Sequence, residues 1–211
     1  MSKYAMFIDL DLCIGCNACT MACKAEHGTQ PGVFWAFVLE KEEGKQPDVK
    51  RQFIPVLCNH CEKPLCEKVC PTRATHRDEK SGIVLIDYDK CAGCKACISA
   101  CPYNVRTYVK QEEFYFPNTP IPYGVNELRG IEGVVQKCNL CSDRLKNGQE
   151  PACVEVCPTS CRTFGDLENP ESDVAKLKKT AKSFQLLPEM GTEPSVYYMR
   201  TERKRAFVRA K

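Results

Sequence analysis

Four short apolar runs punctuate the chain, at residues 4–8, 53–57, 83–86 and 133–136, and each predicts a β-strand. A group of cysteines follows each run within a few residues, and then a stretch suited to a short helix. This recurrence of strand, cysteine turn and helix predicts an α+β chain. Ahead of the third run, Lys80-Ser-Gly82 reads as a turn, which makes residues 70–91 a β-hairpin between two cysteine groups. Residues 24–52 and 103–132 are long and free of cysteine, and the second contains Phe114-Tyr-Phe-Pro-Asn118. Segments of this kind serve as interfaces or covers, with a solvated loop as the alternative.

Beyond Gly165 the pattern changes. Asn169-Pro170 predicts a helix start, with asparagine as cap and proline at the first helical position. Val174 and Leu177 give that helix an apolar edge, residues 195–199 predict a strand, and the basic residues 200–211 predict a flexible solvated tail. The longest apolar stretch, residues 32–39, is far too short to span a bilayer. Residues 1–9 lack the apolar core of a secretory signal and a twin arginine, so the expectation is a chain without its own export address or membrane anchor.

Composition changes the picture through one residue type. The 211 residues include 17 cysteines. Disulfides are a poor account of them, because the count is odd and the cysteines fall in tight groups of four. The groups are Cys13, Cys16, Cys19 and Cys23; Cys58, Cys61, Cys66 and Cys70; Cys91, Cys94, Cys97 and Cys101; and Cys138, Cys141, Cys153 and Cys157. The first and third have the C-x2-C-x2-C-x3-C spacing of bacterial ferredoxins, the second widens the middle gap by two residues, and the fourth widens it to eleven. Three cysteines on a tight turn direct three thiolates at one cube. The fourth, where a helix begins, ligates a different cluster. Pro71, Pro102 and Pro158 then turn the chain away. Gly15 and Gly93 stand where the backbone comes close to the cube. Zinc sites need only four tetrahedral ligands, for which the third x2 cysteine and the x3 cysteine are redundant.

The formal charge of +3 excludes little. Sixteen ligating thiolates outweigh four cluster cores, so the loaded chain is net negative. The basic pI of about 8.1 is therefore no argument for nucleic-acid binding. Nor does any Ser/His/Asp order, GxGxxG or Walker A motif suggest catalysis. The chain reads as a conduit.

Residues 8–23 match residues 86–101 at ten of sixteen positions, and Cys58-Asn-His-Cys61 resembles Cys138-Asn-Leu-Cys141. A duplicated unit is expected. The second and third groups lie closest and pair as one ferredoxin-like module over residues 50–110. The first and fourth pair around it, as residues 1–30 with 131–168. Residues 31–49 and 111–130 are interface insertions, and residues 169–211 a C-terminal helix, strand and basic tail. The expected ligand sets are Cys13, Cys16, Cys19 and Cys157; Cys23, Cys138, Cys141 and Cys153; Cys58, Cys61, Cys66 and Cys101; and Cys70, Cys91, Cys94 and Cys97. Sequential pairing is the alternative.

Among the remaining residues, Cys161 is expected to be a buried neighbour of a cluster, or else a spare ligand. His60 either tunes a cluster through a hydrogen bond or merely packs the turn. Lys24 is a candidate for raising a cluster potential or meeting a redox partner. His27 and His76 read as surface residues, and Trp35 as interface or core.

The motifs, their order and their spacings resemble the iron–sulfur subunits of the dimethyl sulfoxide reductase family of molybdopterin oxidoreductases, over nearly the whole chain. Tyr4-Ala-Met-Phe-Ile-Asp9, Pro31-Gly-Val-Phe34, Pro151-Ala-Cys153 and Cys161-Arg-Thr-Phe-Gly-Asp-Leu167 are similar to polysulfide and thiosulfate reductase subunits. Phe53-Ile-Pro-Val-Leu-Cys-Asn-His-Cys61 is similar to arsenate respiratory reductase subunits. Nitrate reductase relatives carry tryptophan where this chain has Cys94, so the resemblance implies four 4Fe-4S clusters. It further implies electron transfer in anaerobic respiration, from or to a catalytic partner holding a molybdenum or tungsten bis-pterin. A quinone-binding membrane subunit or a cytochrome is implied at the other end. The cluster of Cys13, Cys16, Cys19 and Cys157 would face the catalytic partner. That of Cys58, Cys61, Cys66 and Cys101, or its neighbour, would face the far partner. Cluster insertion requires reduced thiols, so assembly is expected in the cytoplasm. Export as a folded passenger of a partner would place the complex on the periplasmic side, with the cytoplasm as the alternative. A free-standing polyferredoxin is the rival reading, and a structural or nucleic-acid-binding cluster protein a more distant one.

Overall fold

Residues 2–110 and 131–201 are described by this computed structural model. Strand β1 (Tyr4–Asp9) is buried along all but its first residue, because strands flank it on both sides and side chains cover both faces. β8 (Arg162–Asp166) pairs with it antiparallel and β10 (Val196–Met199) parallel; β9 (Ser183–Phe184) completes a sheet of order β8-β1-β10-β9. Alternation along β1 sends Met6 and Ile8 into the main core. Ala5 and Phe7 go to the other face, with Tyr197 and Val174. Helix α6 (Asp173–Thr180) supplies that Val174, which is fully buried.

The expected helix start at Asn169-Pro170 is three residues early. Ser172 is the cap: its Oγ accepts from the Ala175 amide at 3.2 Å and donates to the Asp166 carbonyl at 2.6 Å. Asn169 instead folds the preceding turn, accepting from the Glu171 amide at 3.1 Å. Both residues suit a cap. The Ser172 bond to β8 decides between them, by setting the helix where Val174 meets Gly165.

Three two-stranded ribbons complete the strands. β2 (Ala36–Glu43) pairs with β3 (Lys50–Leu57), so the expected strand 53–57 is longer and takes its partner from the 31–49 segment. Its inner end is buried, whereas its outer end carries Arg51 paired with Glu40 and Glu42, each at 2.8 Å. β4 (Thr75–Arg77) and β5 (Val84–Ile86) form the expected hairpin, closed by the Gly82 amide on the Asp78 carbonyl at 2.8 Å. β6 (Thr107–Val109) pairs with β7 (Val134–Gln136). Phe114 to Asn118 and the basic residues after Thr201 lie outside the described residues.

The helices α1 (Ala18–His27), α2 (Leu65–Lys68), α3 (Ala96–Ser99), α4 (Ser142–Lys146) and α5 (Ala152–Glu155) all adjoin cysteine turns. None of the described helices is long and apolar enough to cross a membrane. α1 and α3 begin alike: Asn17 and Lys95 are left-handed at φ 57° and 63°, and Gly15 and Gly93 at 71° and 61°. The glycines also meet protein closely. A Cβ on Gly93 would lie 2.0 Å from the Gly133 carbonyl oxygen, and one on Gly15 would lie 2.4 Å from the Phe53 ring. Gly93→Ala is therefore expected to cost about 1–3 kcal/mol, read as a lowered Tm of the loaded protein. Gly32→Ala is the control. It shares the positive φ but meets nothing within 4 Å, so it should cost less.

Candidate metal centres

The turn after β1, the start of α1 and the turn after α5 bring Cys13, Cys16, Cys19 and Cys157 around one cavity. A second cavity is lined by Cys58, Cys61, Cys66 and Cys101, and a third by Cys70, Cys91, Cys94 and Cys97. The last four, Cys23, Cys138, Cys141 and Cys153, are all buried. Burial, and then the neighbouring charges of Cys138, Cys153 and Cys141, push the Cys23 thiol far up. Burial likewise pushes the Cys141 thiol up to about 12.

The donor set fits an iron–sulfur cube. Each cavity presents at least four soft thiols, with Cys161 a fifth in the first, and a cube takes one thiolate per iron. Among the described residues no three Cys, His, Asp or Glu side chains converge on a single ion position, as tetrahedral zinc demands. The thiols stand around a space instead.

Exposure differs among the four sets. Cys16 of the first set and Cys94 of the Cys70, Cys91, Cys94 and Cys97 set are exposed. Cys138 and Cys58 are buried and close enough that the charge of Cys58 helps to hold the Cys138 thiol up, after burial.

Cys161 is buried and lines the first cavity. Its sulfur lies 3.5 Å from that of Cys157, and its amide donates to the Cys157 sulfur at 3.4 Å. A hydrogen bond from Cys161 is the main cause that lowers the Cys13 thiol to about 6, while Cys161 itself is pushed far up. Cys161 thus hydrogen-bonds toward both Cys13 and Cys157. Cys161→Ala is expected to retain the full iron complement, whereas Cys157→Ala loses iron; iron per chain by colorimetric assay separates the two.

His60 is fully buried against Cys58. Its Nδ1 accepts from the Val84 amide at 3.1 Å, which puts the ring proton on Nε2. His27 is not the surface residue expected: it stacks on Trp35 at 4.6 Å and sets Nε2 3.3 Å from the Cys141 sulfur. Burial lowers its pKa to about 4. Trp35 is core, with Nε1 donating to Gln136 Oε1 at 3.3 Å. His76 is half-buried, its Nδ1 3.2 Å from the Ala74 carbonyl. Lys24 ties down the chain after α1, donating to the carbonyls of Gln30 and Val33, each at 2.9 Å.

Three residues escaped the sequence reading. Arg162, Lys137 and Arg106 are buried cations beside the cysteines. Burial works against the charge of Arg162, but the thiolate charges of Cys153 and Cys19 outweigh it and raise its pKa. Arg106 is held the same way, against burial, by Cys66, Cys58 and Cys97. Burial lowers Lys137, opposed by Cys58. The available signal was a basic residue inside or beside an apolar run, next to a cysteine group.

Fold and donor sets together define a ferredoxin-type iron–sulfur protein. A family model described as 4Fe-4S dicluster domain matches residues 49–116 and 109–167, and a second so described matches residues 12–74. The arsenate respiratory reductase iron–sulfur subunit of Shewanella sp. (strain ANA-3) is 39% identical, over 94% of this chain and 97% of its own length. A selenate reductase subunit from Mesobacillus selenatarsenatis is 42% identical over 93% of this chain and 72% of its own. A sulfite dehydrogenase subunit from Allochromatium vinosum is 34% identical over 99% and 87%. The chain belongs to the iron–sulfur, electron-transfer subunits of the dimethyl sulfoxide reductase family of molybdopterin oxidoreductases.

Proposed function

We propose that the chain is a wire of four 4Fe-4S clusters between a molybdenum or tungsten bis-pterin catalytic subunit and a quinone-linked membrane subunit or other redox partner. The observation that carries this reading is the order of exposure. The sets of Cys16 and Cys94 each present an exposed thiol, and the other two sets present none. A row with open ends and a closed middle suits entry at one end and exit at the other. When bound, each cluster accepts and passes on one electron.

In this reading the ligand sets are those that share a cavity or a buried neighbourhood. Each motif sends its fourth cysteine to the partner motif: Cys157 to the first set, Cys23 to the second, Cys101 to the third and Cys70 to the fourth. Two nested modules follow, residues 1–30 with 131–168 and residues 50–110. The strand pairings support that nesting. β1 pairs with β8 within the outer module, β4 pairs with β5 within the inner one, and the ribbon β6–β7 joins the two. The Cys13, Cys16, Cys19 and Cys157 end faces the catalytic partner, and exposed Cys94 marks the far end. Export as a folded passenger of a partner would place the complex on the periplasmic side.

Anaerobic purification of the tagged native protein tests this. The expected result is about sixteen irons per chain, the content of four such clusters, with stoichiometric molybdenum or tungsten in a large co-purifying chain. Sixteen irons without a partner would indicate a free polyferredoxin, and zinc in place of iron would end the reading. Recovery of the mature complex from the cytoplasmic fraction alone would overturn the export step.

A further inference from the structure

The three buried cations are spaced along the row of cysteine sites, one to a gap. Arg162 lines the cavity of Cys13, Cys16, Cys19 and Cys157, and its Nη1 lies 3.9 Å from the sulfur of Cys153, a member of the second set. Lys137 Nζ donates to the carbonyl of Cys138, in the second set, at 2.8 Å, and to that of Val84, which lines the cavity of Cys58, Cys61, Cys66 and Cys101. Arg106 lines that third cavity, and its Nη1 donates at 3.2 Å to Thr75 Oγ1, on the wall of the fourth.

All three are enclosed, at 3%, 2% and 4% exposure for Arg162, Lys137 and Arg106. Among the described residues none has a carboxylate within salt-bridge distance, although the surface carries many such pairs. Nε and Nη2 of Arg162 and Nη2 of Arg106 are buried without a hydrogen-bond partner. A cation sealed from water with free donors needs a counter-charge, and among the described residues the anions beside these three are the cysteine sites.

We propose that Arg162, Lys137 and Arg106 are positioning charges for electron transfer, each set in one gap of the row to raise the reduction potentials of the two clusters that flank it. The inference rests on the four-cluster reading above. Reduction adds a negative charge to a cluster, so a nearby fixed cation favours the reduced form. Burial keeps that effect from being screened by salt. A charge shared by both sides of a gap raises both neighbours together. It thereby lifts the pair without itself adding to the potential step across that gap.

The test is an EPR-monitored redox titration of the intact purified complex, with iron content measured on each sample. Arg162→Gln is expected to shift the first two clusters downward by at least tenfold in the one-electron equilibrium, about 59 mV, and leave the other two in place. Arg106→Gln is expected to do the same to the third and fourth. Arg162→Lys, which keeps the charge, is expected to restore most of the potential. Full iron with unshifted potentials in the glutamine variants would overturn the proposal. So would an equal fall in Arg162→Lys and Arg162→Gln, which would mark a packing role. If Arg162→Gln loses iron, Arg162→Lys decides alone: a held potential supports the proposal and a fallen one overturns it. Wild-type complex lacking four clusters would instead defeat the functional reading.

Discussion

Cys58→Ala is expected to stop electron flow through the chain while leaving most of its iron in place. Cys58 is buried and lines the cavity that the proposed wire puts third in its row, so in that row no route between the ends avoids it. Losing partners outside the first ligand shell already costs about 10–100-fold at a metal site, so loss of a ligand should cost at least roughly a hundredfold in turnover driven from the far partner. Turnover driven by a small dye that reduces the catalytic partner directly should persist, which separates a broken wire from a misfolded complex. Cys101→Ala must remove the same EPR signal as Cys58→Ala, because both line one cavity. Sequential pairing predicts otherwise: it places Cys101 with Cys138, Cys141 and Cys153, and the two variants would then lose different signals.

The second large effect is on stability. Stripping the iron with a chelator under reducing conditions is expected to abolish tertiary structure. Cys19, Cys23, Cys58, Cys138 and Cys153 belong to the main core cluster, so removing what they ligate opens voids at its centre. The same step leaves only protonatable thiols beside Arg162, Lys137 and Arg106, and each thiol that takes up a proton leaves its cation uncompensated. An uncompensated buried charge costs on the order of 3–5 kcal/mol, and a whole domain is stable by only about 5–15 kcal/mol. Three such losses are enough to unfold the chain. Near-UV circular dichroism and protease resistance should vanish together, and retention of both in the iron-free chain would refute this.

Much of this was legible in the residue pattern because ligand spacing is a local constraint. The four cysteine groups, the hairpin around Lys80-Ser-Gly82 and the shared opening of residues 8–23 and 86–101 all have counterparts in the structure. What escaped depends on distant partners. β2 ends in charged, exposed residues and is a strand only because β3 pairs with it. Residues 195–199 read as a strand, but nothing local says that 196–199 run parallel to β1. Ser172 outcompetes Asn169 as a cap through its bond to β8. His27 looks solvated until Trp35 and Cys141 close on it. The buried cations are the furthest from sequence logic, since a lysine or arginine defaults to the surface unless an anion is sealed in beside it.

A wire of this kind requires a row of four clusters with the sites of Cys16 and Cys94 at its ends. An iron-edge anomalous difference map of the loaded complex tests that row most directly. Four peaks in line are expected, ringed in order by the sets containing Cys16, Cys138, Cys58 and Cys94, with Cys161 outside the first ring. Fewer peaks, a different order, or single ions each held by four convergent thiolates would contradict it.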